Sequence, residues 1–474
     1  MIAIYLLLAF SISVLFFINR SKWINNLLIT GFLVVQWLFT IYECMHLNII
    51  QLDYFKSDAL GILLLITLSI ISIPAFFHNY SYIYKDKDNP KVRSIYYAAM
   101  TLLVTAIGAA YLSCHIAVTW IFVELTTLSV SALIFHRRNS GSLEATWKYI
   151  FVCSISITLV FIGILFLSIA LESSGSTDLS YDALLSKASS LNLFWLRLAF
   201  IFIFTGYTAK LGLVPMYTAG IDAKDKSPAP AGALLSSVLM NLGFVGIFRF
   251  YVIIAHSSIH SWSNHIIMIS AFLSIFISTV YMLRVKNIKR MLAYSSIEHM
   301  GIVMLGIAAG GIGYYAAILH IILHAFVKSA LFLQIGQVYS IYKSKSIYYL
   351  GNYFKYNVTG AFVLLIGFFC ATAMPPSGLF ISEFMIFRSL FAAHYLIILI
   401  PVLVLLTIII WSFGKTIFKL LFSPPIGFDE SIMEKVNPLE SYSQFVLLGL
   451  VIYLGLNPPL QFVALIQEAV KSLI

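Results

Sequence analysis

The sequence predicts an all-α integral membrane protein with about fourteen transmembrane helices. Of its 474 residues, 61% are hydrophobic and only 10% are charged, whereas soluble domains carry roughly 25% charged residues. Apolar runs long enough to cross a hydrocarbon core of about 30 Å recur from one end of the chain to the other. Only short polar segments separate them, so we expect one polytopic membrane domain over residues 1–474 with no soluble module.

The apolar runs can be placed in chain order. They cover residues 2–19, 24–43, 58–78, 95–112, 115–135, 146–171, 195–217, 228–254, 264–284, 295–311, 315–340, 357–392, 395–421 and 443–466. No Lys or Arg precedes the first run and no small-residue cleavage site follows it. We therefore interpret the first run as a retained helix and not as a signal peptide.

The distribution of positive charge predicts the orientation of the helices. When the 29 Lys and Arg residues are assigned to alternate loops, twenty-one fall on one side, six on the other and two inside helices. The richer side should be cytoplasmic, which places both termini on the extracytoplasmic side of the cell (plasma or inner) membrane. Topology thus explains the net charge of +10, and we expect no binding to nucleic acid.

Two predicted helices are interrupted by proline. The break at about 195–220 contains Pro215, and the break at about 357–392 contains Pro375 and Pro376. Proline removes a backbone donor, so such breaks persist in a membrane only where they are buried in protein or line a polar cavity. The two broken helices are five spans apart, as they would be if a unit of five helices occurred twice. Because five is an odd number, the two copies of that unit would have opposite orientations in the membrane.

An inverted repeat of this kind is typical of transporters, whose ion sites lie near the breaks. Lys210 and Glu383 flank the two breaks and favour this interpretation. Proline kinks in a bundle without internal symmetry are the alternative. The two repeats and the flanking helices would cover about 95–254, 264–421, 1–78 and 443–474.

Glu124 and Lys210 both lie inside predicted transmembrane helices. A lone carboxylate at the bilayer centre costs on the order of 3 kcal/mol, so Glu124 should face a cavity or a cationic partner. Lys210 is the natural candidate. Each group stabilises the charge of the other, and separating them would release a proton from the lysine. The pair would then act as a proton switch; the alternative is a permanent ion pair that joins two helices.

His320, His324 and Lys328 follow one another at intervals of four residues in an apolar helix. Residues four apart lie above one another, about 6 Å apart along the helix axis, so the three side chains would form a ladder. Imidazoles exchange protons near neutral pH, and bridging water would connect them. Two alternatives are a metal site and hydrogen-bonded core histidines. Because no Glu lies between the histidines, we favour proton transfer and expect no metal.

Two further acidic residues are candidates. Glu383 follows the second break, where it would exchange protons with one face of the membrane or merely cap the second half-helix. Asp222 lies beside Lys224, Asp225 and Lys226 in a predicted cytoplasmic loop after the first break. That loop would take up protons or would be only a solvated surface.

The four cysteines stand singly in or beside different spans. Without a C-x-x-C motif, the chain lacks the ligand pattern of iron-sulfur, nickel or structural zinc sites. We therefore expect no cofactor and no active site in this chain, so any redox chemistry would belong to partner chains. The cysteines are Cys44, Cys114, Cys153 and Cys370.

Several motifs in the same order resemble the antiporter-like subunits shared by respiratory complex I, the Mrp sodium/proton antiporters and the membrane arms of group 4 hydrogenases. They are WIFVELTTLS (120–129), AKLGLVPM (209–216), SPAPAGALLSSVLMN (227–241), NIKRMLAYSSIEHMG (287–301), LHIILHAFVKSALFL (319–333) and PPSGLFISEF (375–384). The VELTTLS motif and the Glu298-His299 pair are most similar to the hydrogenase-4 component F type.

The resemblance implies a proton-translocating subunit of a redox complex of the hydrogenase-4 or formate-hydrogenlyase kind. Its partners would be other membrane subunits and the lipid bilayer, and its ion would be the proton or sodium. By resemblance, the charge pair would be Glu124 and Lys210, the central relay His320, His324 and Lys328, and the terminal group Glu383. Secondary candidates are Asp222, Asn241, Lys289, Glu298 and His299.

Two departures and two alternatives accompany this interpretation. Asn241 stands where many relatives have a lysine. After the first break, relatives usually have a motif that contains a Pro, an acid and a His; residues 220–224 of this chain keep the acid, Asp222, but lack the Pro and the His. The first alternative is a subunit of a Mrp-type sodium/proton antiporter with no redox partner. The second is a non-pumping anchor or partner subunit of another complex.

Overall fold

The computed structural model describes residues 1–85, 89–172, 175, 177–430, 433–434 and 436–473. Helices account for nearly all regular structure in this part of the chain, and one small hairpin joins β1 (Ile50–Gln51) to β2 (Phe55–Lys56). The first ten helices are α1 (Ile2–Ile18), α2 (Lys22–Met45), α3 (Ala59–Lys85), α4 (Pro90–Leu112), α5 (Ile116–Ile134), α6 (Ser140–Glu172), α7 (Tyr181–Lys187), α8 (Leu193–Leu211), α9 (Ala219–Lys226) and α10 (Ala229–Leu235).

The remaining helices complete the architecture. They are α11 (Val238–Ala255), α12 (His260–Arg284), α13 (Ile288–Ala309), α14 (Ile312–Tyr342), α15 (Tyr353–Tyr356), α16 (Val358–Ala371), α17 (Gly378–Ala392), α18 (Leu396–Phe422), α19 (Tyr442–Leu456) and α20 (Leu460–Val470). Within the described residues, 12 helical segments are long and apolar enough to cross a membrane, and α1 and α16 are shorter apolar helices. The predicted all-α membrane fold is confirmed.

Two local predictions need correction. The last predicted span, 443–466, ends at Leu456 because Pro458 and Pro459 interrupt it, and α20 is a separate amphipathic helix. The charged segment that contains Asp222 is the short helix α9 and not a loop. The predicted span 228–254 is confirmed as one apolar span, Ala229–Ala255, and the structure adds a local interruption near Ser236 between α10 and α11.

The chain divides into two compact units. Unit 1 contains residues 1–227, 238–266 and 464–474, and unit 2 contains residues 228–237 and 267–463. Each unit contains one of the two predicted broken helices. In unit 2, α13 and α14 are enclosed by the surrounding helices along their apolar lengths, so the polar side chains of α14 point into protein.

The break in unit 1 follows α8. Gly212 ends this helix in the left-handed region at φ +86°, a conformation that favours glycine, and its N–H donates to the Thr208 carbonyl at 2.7 Å. Gly243 of α11 packs directly against this helix end. A Cβ at position 243 would lie 2.3 Å from the backbone nitrogen of Leu211, so only glycine permits this close approach.

The break in unit 2 separates α16 from α17. Ser377 caps α17, and its hydroxyl oxygen accepts a hydrogen bond from the Leu379 N–H at 3.2 Å. The first residue of α17, Gly378, touches Gly455 of α19. A Cβ at position 455 would lie 2.1 Å from the Gly378 Cα, so α19 fixes the start of the second half-helix.

Candidate functional site

Lys210 is the penultimate residue of α8 and lies beside the break in unit 1. Its side chain is buried, and its Nζ donates to three hydroxyl oxygens. These are Thr127 Oγ1 at 2.9 Å, Thr126 Oγ1 at 3.2 Å and the Tyr149 hydroxyl at 3.2 Å. The ammonium therefore sits among neutral groups supplied by α5 and α6.

Glu124 lies one turn before Thr127 on α5 and is half-buried. The Thr127 hydroxyl donates to Glu124 Oε2 at 3.2 Å. Among the residues that the structure describes, Glu124 and Lys210 form no direct ion pair; instead they share the Thr127 hydroxyl. The structure thus brings the predicted pair together through a bridge, and the role of this pair as a proton switch stays a prediction.

The three residues of the predicted ladder lie along α14 and are completely buried. Lys328 donates through Nζ to Ser295 Oγ of α13 at 2.7 Å. Glu298, one turn after Ser295 on α13, is also buried and interacts electrostatically with Lys328. A lysine, a hydroxyl and a glutamate therefore meet in unit 2 as they do in unit 1.

His299 of α13 lies beside the two histidines of the ladder, His320 and His324. Its Nδ1 is 3.1 Å from His320 Nε2, and its ring centroid is 5.2 Å from those of both His320 and His324. The hydrogen-bonded neighbour of His320 is therefore a histidine on another helix. From the sequence, His299 was only a secondary candidate, because no local spacing places residues 299 and 320 together.

The outer nitrogens of these two rings are held by α16 and α17. His299 Nε2 lies 3.0 Å from the Ala371 carbonyl oxygen, and His320 Nδ1 lies 2.9 Å from Ser382 Oγ. Glu383 Oε1 approaches His299 Nδ1 to 3.7 Å. Because Ser377 caps α17 and no acid lies in its first turn, the alternative that Glu383 caps this half-helix is wrong.

Three of these side chains are also arranged as metal ligands would be. One ligand atom each from His299, His320 and Glu383 lies within 4.8 Å of the others, and this is the one such group among the described residues. Imidazole nitrogens with one carboxylate oxygen suit zinc and other transition metals. The group differs from the pair His320 and His324 that helical spacing alone would suggest.

Three other secondary candidates are Asp222, Asn241 and Lys289. Asp222 of α9 approaches Lys148 Nζ at 3.8 Å near the surface of unit 1. Asn241 of α11 is completely buried, and neither of its amide atoms has a hydrogen-bond partner among the described residues. Lys289 is buried at the start of α13.

Unit 1 also contains a charged cavity that the sequence does not predict. The cavity has a volume of about 240 Å³ and is lined in part by Asp58, Arg249, Lys56 and Asp182. Arg249 donates to Asp58 Oδ1 at 2.8 Å and to the Tyr111 carbonyl at 2.7 Å. Nothing in the local sequence around Arg249 indicates these partners.

Comparison with known proteins identifies the family. The sequence profile of the family described as NADH:quinone oxidoreductase/Mrp antiporter, TM, matches residues 113–409, which is more than half of the chain. The chain belongs to this family. The matched segment of the NADH:quinone oxidoreductase/Mrp antiporter family contains every predicted site residue from Glu124 to Glu383, and the resemblance found from the sequence is confirmed.

Individual members of the family are more distant. The chain is 28% identical over 406 residues to a hydrogenase-4 component F homolog of Methylacidiphilum infernorum (isolate V4), covering 83% of this chain and 84% of that protein. It is 26% identical over 355 residues to hydrogenase-4 component B of Escherichia coli (strain K12), covering 71% of this chain but only 51% of that protein.

A solved structure shows the same fold. A chain in the structure of the Mrp complex from Dietzia sp. DQ12-45-1b superposes with a TM-score of 0.87 at 15% sequence identity, covering 99% of this chain and 96% of that chain. At this identity the likeness shows the fold alone. The protein is therefore a multi-pass membrane protein with the antiporter-like fold of its family.

Proposed function

We propose that this chain is a proton-translocating subunit of a multi-subunit redox complex of the hydrogenase-4 type. The observation that carries the proposal is a buried lysine in each unit that reaches a glutamate through a hydroxyl group. In unit 1 the hydroxyl belongs to Thr127 and connects Lys210 with Glu124. Charges inside membrane-spanning helices are costly, so two such arrangements favour a role in ion movement over a structural role.

The corresponding arrangement in unit 2 supports the same role. Lys328 donates to Ser295, and the buried Glu298 lies one turn further along α13. If α5 and α13 are equivalent helices of an inverted repeat, the glutamate and the hydroxyl come from the same helix in both halves. The repeat, with its boundaries at about 95–254 and 264–421, is part of the proposal.

The proposed mechanism moves a proton through a change in charge balance. A proton leaves Lys210 when Glu124 no longer stabilises the ammonium, and it returns when the carboxylate is again available through Thr127. In unit 2, His320, His324 and Lys328 provide exchangeable sites along α14, and Glu383 is the terminal group. Electron transfer in partner subunits would change the electric field at one end of the chain and would so shift the protonation equilibria of Lys210 and Lys328.

The proposed redox coupling rests on the relatives, because a hydrogenase-4 component F homolog and a hydrogenase-4 component B align with 83% and 71% of this chain. We therefore expect other membrane subunits as partners. We place the chain in the cell membrane with both termini on the extracytoplasmic side, in accordance with the positive-inside rule.

Proton uptake into inverted vesicles that hold the native complex tests the proposal. The comparison is between wild type, Lys210→Ala and the control Lys187→Ala, which removes an exposed lysine of α7. At matched assembly, Lys210→Ala should lose the substrate-driven gradient while the control keeps it. An undiminished gradient in Lys210→Ala would show that the pump lies in another subunit.

A second candidate function is sodium/proton antiport without a redox partner, favoured by the fold shared with a chain of the Mrp complex. The same vesicles decide between the two. A gradient that needs redox substrate and resists a sodium ionophore supports the redox-coupled pump. A gradient that follows sodium and needs no redox substrate supports the antiporter.

A non-pumping partner subunit is the third candidate, and it is favoured by Asn241, which is buried where many relatives carry a lysine. Under this function Glu124→Gln and Lys210→Ala would lower the amount of assembled complex without changing its pumping per assembled unit. Quantifying assembly by native electrophoresis alongside the uptake assay separates this outcome from the loss of pumping.

A further inference from the structure

The helices α12 and α18 are neighbours in unit 2 and carry basic residues at a similar level. The Ser412 hydroxyl of α18 donates to the Met282 carbonyl of α12 at 2.8 Å. Arg284, the last residue of α12, follows shortly after Met282, and Lys415 follows Ser412 by less than one turn. Both cationic side chains are exposed.

The segment between α14 and α15 connects the same two helices. The Ile347 N–H donates to the Lys286 carbonyl, just after the end of α12, at 2.9 Å. Lys419 Nζ of α18 donates to the Tyr348 carbonyl at 3.4 Å and lies 5.4 Å from the centre of the Tyr348 ring. Four basic residues therefore belong to one surface, which we call the basic patch: Arg284, Lys286, Lys415 and Lys419.

The basic patch has no acidic partner. In the part of the chain that the structure describes, none of its four residues forms an ion pair, and α12, α18 and the segment between α14 and α15 contain no Asp or Glu. By contrast, Lys343 and Lys355 of the same unit are paired with Glu434 and Glu430. A surface with one sign of charge attracts ligands of the opposite sign, so the patch should attract an anion.

The position of the patch along α18 corresponds to the edge of a hydrocarbon layer. Residues 396–410 contain no charged residue, and they extend for about 22 Å along the helix axis. Lys415 lies about 28 Å from the start of α18, close to the hydrocarbon thickness of about 30 Å. One turn earlier, the exposed ring of Trp411 has its centre 5.3 Å from Lys415 Nζ. Tryptophan is typical of the headgroup level.

Exposed apolar side chains extend from the patch toward the middle of both helices. Phe276 and Val280 form this face on α12, and Ile400 and Val404 form it on α18. One surface thus combines cations at one end with hydrocarbon-facing side chains along its length. An amphiphile with an anionic head and apolar chains matches both parts.

We propose that the basic patch binds the phosphate of an anionic phospholipid whose acyl chains lie on the exposed apolar faces of α12 and α18. Lysine and arginine supply charge-assisted hydrogen bonds to phosphate oxygens, and the indole N–H of Trp411 is a further donor at the same level. A free phosphate ion would leave the apolar faces uncovered. This site is separate from the proposed path of protons and does not depend on it.

Labelling with a photoactivatable phosphatidylglycerol tests the proposal in the native complex. The complex is held in uncharged detergent, and labelled peptides are identified by mass spectrometry. Peptides from the ends of α12 and α18 should be labelled at a lower lipid concentration than with the corresponding phosphatidylcholine. Added salt should weaken the labelling by phosphatidylglycerol, because salt screens exposed charges.

Variants of the patch give the expected size of the effect. A basic residue near a membrane surface contributes about fivefold to the attraction of anionic lipid. Arg284→Gln should therefore raise the half-saturating concentration about fivefold, and the double variant Lys415→Gln with Lys419→Gln about 25-fold. The double variant Lys415→Arg with Lys419→Arg keeps both charges and should stay near wild type.

The matched control is Arg388→Gln, which removes another exposed cation of unit 2. Arg388 belongs to α17, which ends just before α18 begins, so it lies near the opposite end of α18 from Lys415. This substitution should leave the labelling of the patch unchanged. Comparing unfolding temperatures in lipid-free detergent shows that each variant is folded.

Four results would overturn the proposal. Equal labelling by phosphatidylglycerol and phosphatidylcholine, or labelling that is unaffected by the two Lys→Gln substitutions, would mean ordinary contact with the bilayer. Competition by inorganic phosphate as strong as that by unlabelled phosphatidylglycerol would mean a site for a free anion. No labelling of the patch by either lipid would mean that a partner subunit covers it in the complex.

Discussion

The ammonium of Lys210 lies 2.9 Å from the hydroxyl oxygen of Thr127, and that hydroxyl donates to Glu124 at 3.2 Å. A single side chain thus connects the two charges that the proposed mechanism separates. Because neither charge touches the other directly, the strength of their coupling depends on this hydroxyl.

Replacing the bridge should therefore reduce pumping. We expect Thr127→Val, which keeps the shape and removes the hydroxyl, to lower substrate-driven proton uptake by about tenfold. This is a smaller effect than the loss of a positioned proton carrier typically causes. Thr127→Ser retains the hydroxyl and should stay near wild type. Uptake in inverted vesicles at matched assembly measures both variants, and normal pumping by Thr127→Val would contradict the bridging role.

The close contact at the first broken helix predicts a large effect on stability. A Cβ at Gly243 would lie 2.3 Å from the Leu211 nitrogen and 2.8 Å from the Leu211 Cα. Since backbone atoms cannot move aside as a side chain does, Gly243→Ala should destabilise the protein by about 3 kcal/mol.

The matched control for this substitution is Gly31→Ala in α2, where nothing lies within 4 Å of the added Cβ. It should leave stability unchanged or raise it slightly, because alanine is the better helix former. Thermal unfolding of the detergent-solubilised protein, followed with a thiol-reactive dye, compares the two. Equal unfolding temperatures would mean that α11 does not pack against the break as described.

The two ion pairs that line the cavity in unit 1 should contribute differently to stability, because Arg249 is buried and Lys56 is more exposed. Arg249 binds Asp58 and the carbonyls of Tyr111 and Ser113, and its own side chain is buried. Arg249→Ala leaves these acceptors without their donor and should cost about 3 kcal/mol, a value at the low end for broken buried pairs because Asp58 is partly exposed.

The second pair of that cavity, Lys56 with Asp182 at 2.9 Å, is more exposed, with Asp182 at 68%. Lys56→Ala should therefore cost no more than about 1 kcal/mol. The same thermal unfolding assay serves for both pairs. If Lys56→Ala proved as destabilising as Arg249→Ala, the ranking of the two pairs by burial would be wrong.

An exposed contact outside the membrane helices predicts a pH dependence. Hydrogen bonds from Lys355 at 2.6 Å and Tyr356 at 2.9 Å, together with the lysine charge, lower the pKa of Glu430. A lowered carboxyl pKa means that the contact is present above the ordinary glutamate pKa and is lost as the pH falls through the lowered value. The segment that carries Glu430 should therefore loosen on acidification.

A spin label at Ile426, an exposed position in the same segment, measures this change in a background without Cys44 and Cys114. In wild type its mobility should increase as the pH falls through the lowered pKa of Glu430. In Lys355→Gln the label should already be more mobile at neutral pH. A mobility that is independent of pH in wild type would show that the Glu430 contact does not hold the segment.

Much of the fold could be predicted because the bilayer leaves few choices. Apolar length located the membrane spans, and proline located the breaks beside Lys210 and Glu383. The final span was drawn too long because its apolar character continues past Pro458 and Pro459. The separation of α10 from α11 near Ser236 gave no signal, because serine is tolerated in helices.

The candidate site was predictable as a set of charges but not as a geometry. Local spacing placed His320, His324 and Lys328 on one stripe of α14. It gave no indication that His299 contacts His320, since that contact depends on how α13 packs against α14. The hydroxyls of Thr126 and Thr127 were visible only as letters of a motif, because the partners of a hydroxyl are fixed by tertiary structure.

The surroundings of Lys210 have a consequence for how this lysine would lose its proton. Its three nearest polar neighbours are hydroxyl groups, and a hydroxyl can accept hydrogen from an ammonium or donate it to a neutral amine. The hydrogens of two of these hydroxyls are already donated, from Thr127 to Glu124 and from Thr126 to the Val123 carbonyl. Turning the Thr127 hydroxyl toward a neutral amine would break its bond to Glu124, so the proposed loss of the proton from Lys210 would be coupled to release of that carboxylate by the rotation of one O–H bond.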